Sequence, residues 1–156
     1  MANSLQPGDS APDFTLSGDG NSTISLKGLR GKKVVLYFYP KDDTSGCTLE
    51  AKNFNDSKAA FARAGAEIIG VSPDNVASHD KFKKKYDLDF ALASDESKAM
   101  LEAYGVWVEK SMYGKKYMGT ERTTIIIGTD GKIRAILRKV KPAEHADQVL
   151  AEVAGI

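Results

Sequence analysis

Val34-Val35-Leu36-Tyr37-Phe38-Tyr39 is an unbroken apolar run stopped by Pro40. A strand with no polar face is buried on both sides, so residues 33–39 are expected at the centre of a sheet. Before it, Phe14-Thr15-Leu16 and Thr23-Ile24-Ser25-Leu26 flank the turn-rich Ser17-Gly18-Asp19-Gly20-Asn21, the pattern of a small hairpin. After it, Phe54, Ala59, Phe61 and Ala62 trace a helical stripe within Leu49 to Ala64, and Gly65 is its stop. Ala66 to Ser72 reads as a second strand. A helix then starts at Pro73-Asp74-Asn75 and runs to about Tyr86. Phe90 to Ala93 is a short extended stretch, and Glu96 to Tyr104 a short helix ending at Gly105. The β-branched run Arg122 to Ile127 predicts a strand, turned by Asp130-Gly131 into Lys132 to Leu137. A last helix is expected over about Ala143 to Ala154.

Early strand–helix–strand units require parallel pairing, and the late hairpin adds an antiparallel edge. The expected class is α/β: a mixed central sheet flanked by helices. Its element order is that of a thioredoxin-like fold with an N-terminal β-hairpin extension. At 156 residues, with 42% hydrophobic and 28% charged positions, the chain is expected to form one domain, 1–156, with a full core. The net charge of +1 implies no strong field, so neither nucleic acid nor an anionic membrane is an expected partner. No apolar run approaches the roughly 18 residues of a membrane span. The N-terminus shows no basic region followed by an apolar core, so the cytoplasm is the expected location.

Candidate chemistry gathers at the one cysteine, Cys47, between the strand ending at Pro40 and the helix beginning near Leu49. A single cysteine excludes an internal disulfide, a CxxC pair and a cysteine-built zinc site, and it suits a reducing compartment. With Thr44 or Ser45 as helix cap, Cys47 falls in the first turn, where unpaired amides and the helix dipole favour a thiolate. A free thiol is only about 3% ionised at pH 7, and a hundredfold gain in thiolate requires roughly 2.7 kcal/mol. A helix terminus supplies about 0.3–1 kcal/mol, up to ~2 if partly buried. A cation is therefore needed, and Arg122, opening a strand expected beside residues 33–39, is the candidate. The competing readings are a small buried hydrophobe for Cys47 and a solvated strand-end residue for Arg122. Gly46 beside the sulfur argues against deep burial.

Asp42 and Asp43 are expected to face solvent. His79 and His145 read as surface residues with no metal-ligand partner nearby, and no local signature supports a Cys–His hydrolase. Lys83-Lys84-Lys85 reads as a solvated helix face. Met112 to Met118 reads as a turn-rich loop at the rim of the site.

Pro40-x-x-x-Thr44-x-x-Cys47 resembles the active-site signature of the peroxiredoxins. The fuller run Tyr37 to Glu50 is similar to their bacterioferritin-comigratory-protein (PrxQ) branch, as are Gly8-Asp9-x-Ala11-Pro12-Asp13-Phe14, Gly70-Val71-Ser72, Met112-Tyr113-Gly114-Lys115 and Glu121-Arg122-Thr123-Thr124. The resemblance implies a thiol peroxidase without metal or organic cofactor. Cys47 would attack a peroxide oxygen and become a sulfenic acid. Arg122 would stabilise thiolate and peroxide, Thr44 would hydrogen-bond the peroxide, Pro40 would shield the site, and Glu50 would orient Arg122. The amides of Gly46 and Cys47 would hold the oxygens. Members of the branch carry a resolving cysteine where this chain has Lys52, or on the following helix where it has Lys83, and Ser45 stands for their usual proline. The chain's sulfenic acid would thus need an external thiol (thioredoxin, glutaredoxin or a low-molecular-weight thiol), or two subunits would have to join through Cys47. The expected state is a monomer or weak homodimer. Two other functions fit the single cysteine, a peroxide sensor or relay without sustained turnover and a non-redox binding module.

Overall fold

The computed structural model describes residues 5–142 and 145–156. The apolar run forms β3 (Lys33–Phe38), at the interior of a seven-stranded mixed sheet. The other strands of that sheet are β1 (Thr15–Gly18), β2 (Thr23–Ser25), β4 (Ala66–Ser72), β5 (Ala91–Ser94), β8 (Thr123–Ile127) and β9 (Ile133–Leu137), in the order β2-β1-β5-β4-β3-β8-β9. β3 pairs parallel with β4 and antiparallel with β8. Helices α1 (Ser45–Asp56), α2 (Lys58–Arg63), α3 (Val76–Tyr86), α4 (Ala99–Ala103) and α5 (His145–Ala154) complete the α/β layers.

Alternation along β3 sorts the core into two halves. Val34, Leu36 and Phe38 face a cluster with Ile69, Val71, Ile125, Leu101 and Tyr104. Val35 and Tyr37, with Tyr39 beyond the strand, face the other cluster, with Phe54 and Cys47 of α1, Phe61 of α2, Phe82 of α3 and Val149 of α5. Each fully buried side chain of this size contributes about 1.5–3 kcal/mol, so burial on both sheet faces accounts for why β3 carries no charged position after Lys33. The cysteine belongs to the second half of the core.

Several expectations need correction. The helix expected from Leu49 to Ala64 is interrupted at Ser57 (φ −96°, ψ 2°) and becomes α1 and α2. The expected N-terminal hairpin extension is present, and β1 pairs antiparallel with β5 so that it lengthens the main sheet. The loop expected at Met112–Met118 is a hairpin of β6 (Trp107–Met112) and β7 (Lys115–Thr120). Its two-residue turn, Tyr113-Gly114, has both residues at positive φ (53° and 78°), as the twist of a tight hairpin requires. Its two strands are largely exposed and mix polar with apolar residues such as Met112, Tyr117 and Met118, so no alternation marks them as strands. The last helix follows the expectation from His145 onwards, while Ala143 and Glu144 lie outside the described residues.

Gly70 on β4 stands opposite Tyr37 in the register, and a Cβ there would lie 2.8 Å from the Tyr37 ring and 2.9 Å from Leu92. Neither the rigid ring nor the packed leucine has room to retreat. Gly70→Val is therefore expected to lower stability by about 1–3 kcal/mol or more, read as a fall in the urea midpoint.

Candidate active site

Register explains why an arginine far along the chain meets the cysteine. Tyr37 pairs with Thr124 and Val35 with Ile126, so those β8 residues share the sheet face that α1 covers. Arg122 lies one residue before β8 and has the parity of Thr124 and Ile126. By alternation it is aimed at α1. Its Nη2 donates to Cys47 Sγ at 3.2 Å and its Nη1 to Glu50 Oε1 at 2.6 Å. Cys47 and Glu50 are three residues apart on α1, so one helix face presents both to one guanidinium. Gly46 lies against the same group: a Cβ there would stand 3.5 Å from Arg122 Nη2 and from Pro142.

Cys47 is a free cysteine, 1% exposed. The expectation of a sulfur near the surface is corrected. The turn carrying it is packed down by Tyr37, Phe54 and their neighbours in the same core cluster. Burial alone does not make this a passive hydrophobe, because a charged hydrogen-bond donor is built against the sulfur. The side chain of Arg122 is 17% exposed. Burial opposes its charge, but Glu50 and Cys47 more than offset that and hold it above its ordinary value.

Thr44 occupies the N-cap position (φ −89°, ψ 158°), but its side chain does not cap the helix. Its hydroxyl donates instead to the Lys41 carbonyl at 3.0 Å, on an exposed residue. The amides of Gly46 and Cys47 lie in the first turn of α1, where helical geometry provides no acceptor four residues earlier. Pro40 ends the strand and is half-buried. Lys110 of β6 approaches the site from the rim: burial, then the charge of Arg122, lowers its ammonium pKa, while Cys47 works in the opposite direction. Lys52 is exposed on α1, and Lys83 is paired with Asp19 at 2.7 Å.

Three polar residues expected at the surface are buried. His145 is 0% exposed, its Nε2 hydrogen-bonded to Thr124 Oγ1 and its ring edge-on to Phe54. Nε2 also stands 3.9 Å from Glu50 Oε2. That contact is no ion pair at neutral pH, because burial and then Arg122 push the ring down to about 4. His79 is 0% exposed and Asp42 7% exposed, and the two are bonded to each other at 2.7 Å. Asp43 is exposed as expected, accepting from Lys85 Nζ at 2.8 Å and Tyr86 Oη at 2.6 Å. No local sequence signal marks these burials. Asp42 and His79 are brought together only because β3 and β4 are parallel neighbours whose ends feed the same corner.

The Glu50 side chain is 1% exposed, and Oε2 has no hydrogen-bond partner among the described residues. Burial raises its carboxyl from 4.5 to about 7 although Arg122 pulls it down. The folded protein therefore binds a proton here that the unfolded chain has lost, and stability falls as pH rises through this interval. Between pH 4.5 and 7 the loss amounts to about 3 kcal/mol. Glu50→Gln keeps an acceptor for Arg122 and cannot ionise. It is expected to gain about 3 kcal/mol relative to the parent between those pH values, measured by urea unfolding at each pH.

Residues 7–136 match the AhpC/TSA family. A peroxiredoxin Bcp from Bacillus subtilis is 47% identical over 146 residues, covering 94% of this chain and 93% of the relative. The structure of the Xanthomonas campestris bacterioferritin comigratory protein, studied for alkyl peroxide reduction, superposes with a TM-score of 0.88 at 44% identity, covering 91% of this chain and 90% of that one. A cysteine-to-serine mutant of Xylella fastidiosa PrxQ gives a TM-score of 0.92 at 35% identity, over 97% of this chain and 96% of that one. Neighbours at this identity have the thioredoxin fold expected from the element order. A lone thiol under a guanidinium on that fold, with this extent of likeness, leaves one assignment: the chain belongs to the AhpC/TSA family, in its Bcp/PrxQ peroxiredoxin branch of thiol-dependent peroxidases.

Proposed function

We propose that Cys47 is the peroxidatic residue and that Arg122, Thr44, Pro40, Glu50 and the Gly46–Cys47 amides complete its site. The observation that carries this reading is the guanidinium bridging Cys47 Sγ at 3.2 Å and Glu50 Oε1 at 2.6 Å. The thiolate is the form that attacks, and the Arg122 guanidinium is a charged donor set against that sulfur. The sulfur takes one peroxide oxygen, the O–O bond breaks, and the bonding electrons leave with the other oxygen, which a proton from solvent neutralises as water or alcohol. Cys47 ends as a sulfenic acid. The Arg122 donors and first-turn amides face the oxygen on which negative charge develops. Glu50 touches neither sulfur nor peroxide in this scheme and is a positioning residue.

The substrates are hydrogen peroxide and organic hydroperoxides, the latter supported by the alkyl peroxide activity of the Xanthomonas campestris relative. One cysteine means that the second half-reaction uses two external thiols. The first displaces water from the sulfenic acid and forms a mixed disulfide, and the second releases Cys47. Because Cys47 is 1% exposed when reduced, the first turn of α1 has to open for that exchange. Thioredoxin, glutaredoxin and small thiols are the candidate reductants. The protein works in the cytoplasm as a monomer or weak homodimer, without nucleic acid or membrane partners. No helix among the described residues is long and apolar enough to cross a membrane.

Stopped-flow mixing with stoichiometric peroxide, followed by intact mass, tests the assignment. Oxidation far faster than that of a free thiol, ending in a sulfenic acid at Cys47, is expected. Cys47→Ser is expected to abolish turnover, and near-normal activity would overturn the site. Arg122→Ala is expected to slow oxidation about 10²–10³-fold, the loss typical of one charge-stabilising donor. Sustained consumption of peroxide with one of the named thiols distinguishes a peroxidase from a sensor that passes its oxidation to a partner.

A further inference from the structure

The loop from Pro40 to Thr44 enters α1 and carries two of the proposed site residues. Its middle residue, Asp42, is turned into the protein. Asp42 Oδ1 accepts from Tyr39 Oη at 2.5 Å, and Oδ2 accepts from Ser78 Oγ at 2.7 Å. His79 Nδ1 lies 2.7 Å from the same Oδ2, and His79 Nε2 lies 3.0 Å from the Ala93 carbonyl of β5. Asp42's own amide donates to Asp74 Oδ2 at 2.8 Å, which also accepts from Ser72 Oγ at 2.7 Å. Asp42, Asp74 and His79 thus converge within 4.8 Å, as metal ligands do. Hydrogen-bond donors already occupy these carboxylate oxygens, however, so the cluster is built to hold the loop.

Both nitrogens of His79 face acceptors. A neutral imidazole has one donor and one acceptor, so it would set a lone pair against either the carboxylate or the carbonyl. The geometry therefore calls for an imidazolium. With 0% exposure, that cation has no solvent to compensate for a lost partner.

We propose that His79, as a buried imidazolium bonded to Asp42 and the Ala93 carbonyl, is a positioning residue of the peroxidase site that clamps the Pro40–Thr44 loop and so sets where α1 presents Cys47 to Arg122. The inference rests on the assignment of Cys47 and its loop to that site. The groups facing His79 are Asp42 from the loop, Ser78 beside it on α3, Asp74 from the turn before α3, Tyr39 at the end of β3 with rings 6.5 Å apart, and the Ala93 carbonyl. Burial works against the charge, but the hydrogen bond and charge of Asp42 outweigh it and raise the ring above its ordinary 6.5. The clamp is thus complete below that value and is released as pH rises through the raised one.

Nitrogen NMR of the His79 ring in the full chain is expected to show both nitrogens protonated below the transition. The Asp42 amide should lose exchange protection, corrected for intrinsic rate, as the ring deprotonates, while β3 amides keep theirs. His79→Gln, which cannot carry the charge, is expected to slow oxidation by peroxide about tenfold to a hundredfold, to expose the Asp42 amide and to remove that pH dependence. Asp42→Asn should do the same, with the double variant no worse than either single one. If these variants do not fold, Ser78→Ala removes one donor to Asp42 and leaves the ion pair, and a smaller loss of rate with matching loss of Asp42 protection is expected. A neutral His79 ring, or a variant with a lower melting temperature but the parent's rate and pH profile, overturns the proposal. Cys47→Ser separates the two readings: retained turnover there defeats the site itself, whereas Cys47-dependent turnover indifferent to His79 defeats only the clamp.

Discussion

Arg122 is held between two groups that both want its charge, a carboxyl on its Nη1 and a thiol on its Nη2. A guanidinium suits this place because it is planar, permanently charged and forked, so one side chain addresses both partners at fixed angles. A lysine would offer a point charge and no fixed geometry. The arrangement has a cost, visible in Glu50. Its carboxyl is buried with one oxygen unpartnered, and it is driven toward neutrality despite the arginine. Stability would be served by a neutral residue there, whereas in the proposed site the carboxyl fixes the guanidinium against the sulfur. This is the usual conflict between a candidate site and its own fold.

The sheet makes that contact possible. β3 contributes its odd-numbered residues to the face that α1 covers, and antiparallel pairing gives β8 the matching parity, so Arg122 approaches α1 from beneath. The carboxyl end of β3 is the natural place for chemistry in such a sheet, because the strand stops there and a helix N-terminus begins. What the strand and helix leave undetermined is the path between them. Tyr39, Asp42 and Asp43 take that path inward and sideways onto α3, which holds Asp42 through Ser78 and His79 and Asp43 through Lys85 and Tyr86.

Legibility in the sequence followed the range of the physics. The expected mixed sheet, the parallel pairing implied by the early crossover units and the late hairpin rest on periodicity and turn chemistry, which act over a few residues. Cys47 and Arg122 pair on a similar ground: a thiolate needs a cation, and adjacent strands bring one. Local pattern is silent where burial is decided by distant partners. His79, Asp42 and His145 look like surface residues because polar side chains usually are, and only a complementary buried partner makes their interior position affordable. The β6–β7 hairpin was hidden for the opposite reason, being too exposed for its strands to alternate.

By itself the sequence determined most of the elements, though not the β6–β7 hairpin or the break at Ser57, together with the class of fold, the single thiol at a helix start and the arginine at a strand start. Each follows from local pattern, covalent count or the residue type required by the chemistry. Tertiary structure alone decided that the sulfur is covered, that Glu50 is buried against Arg122 with His145 behind it, and that Asp42 and His79 lock the loop between strand and helix. Those outcomes depend on long-range parity and on pairs of polar groups satisfying one another out of water, and no window of neighbouring residues contains both members of such a pair.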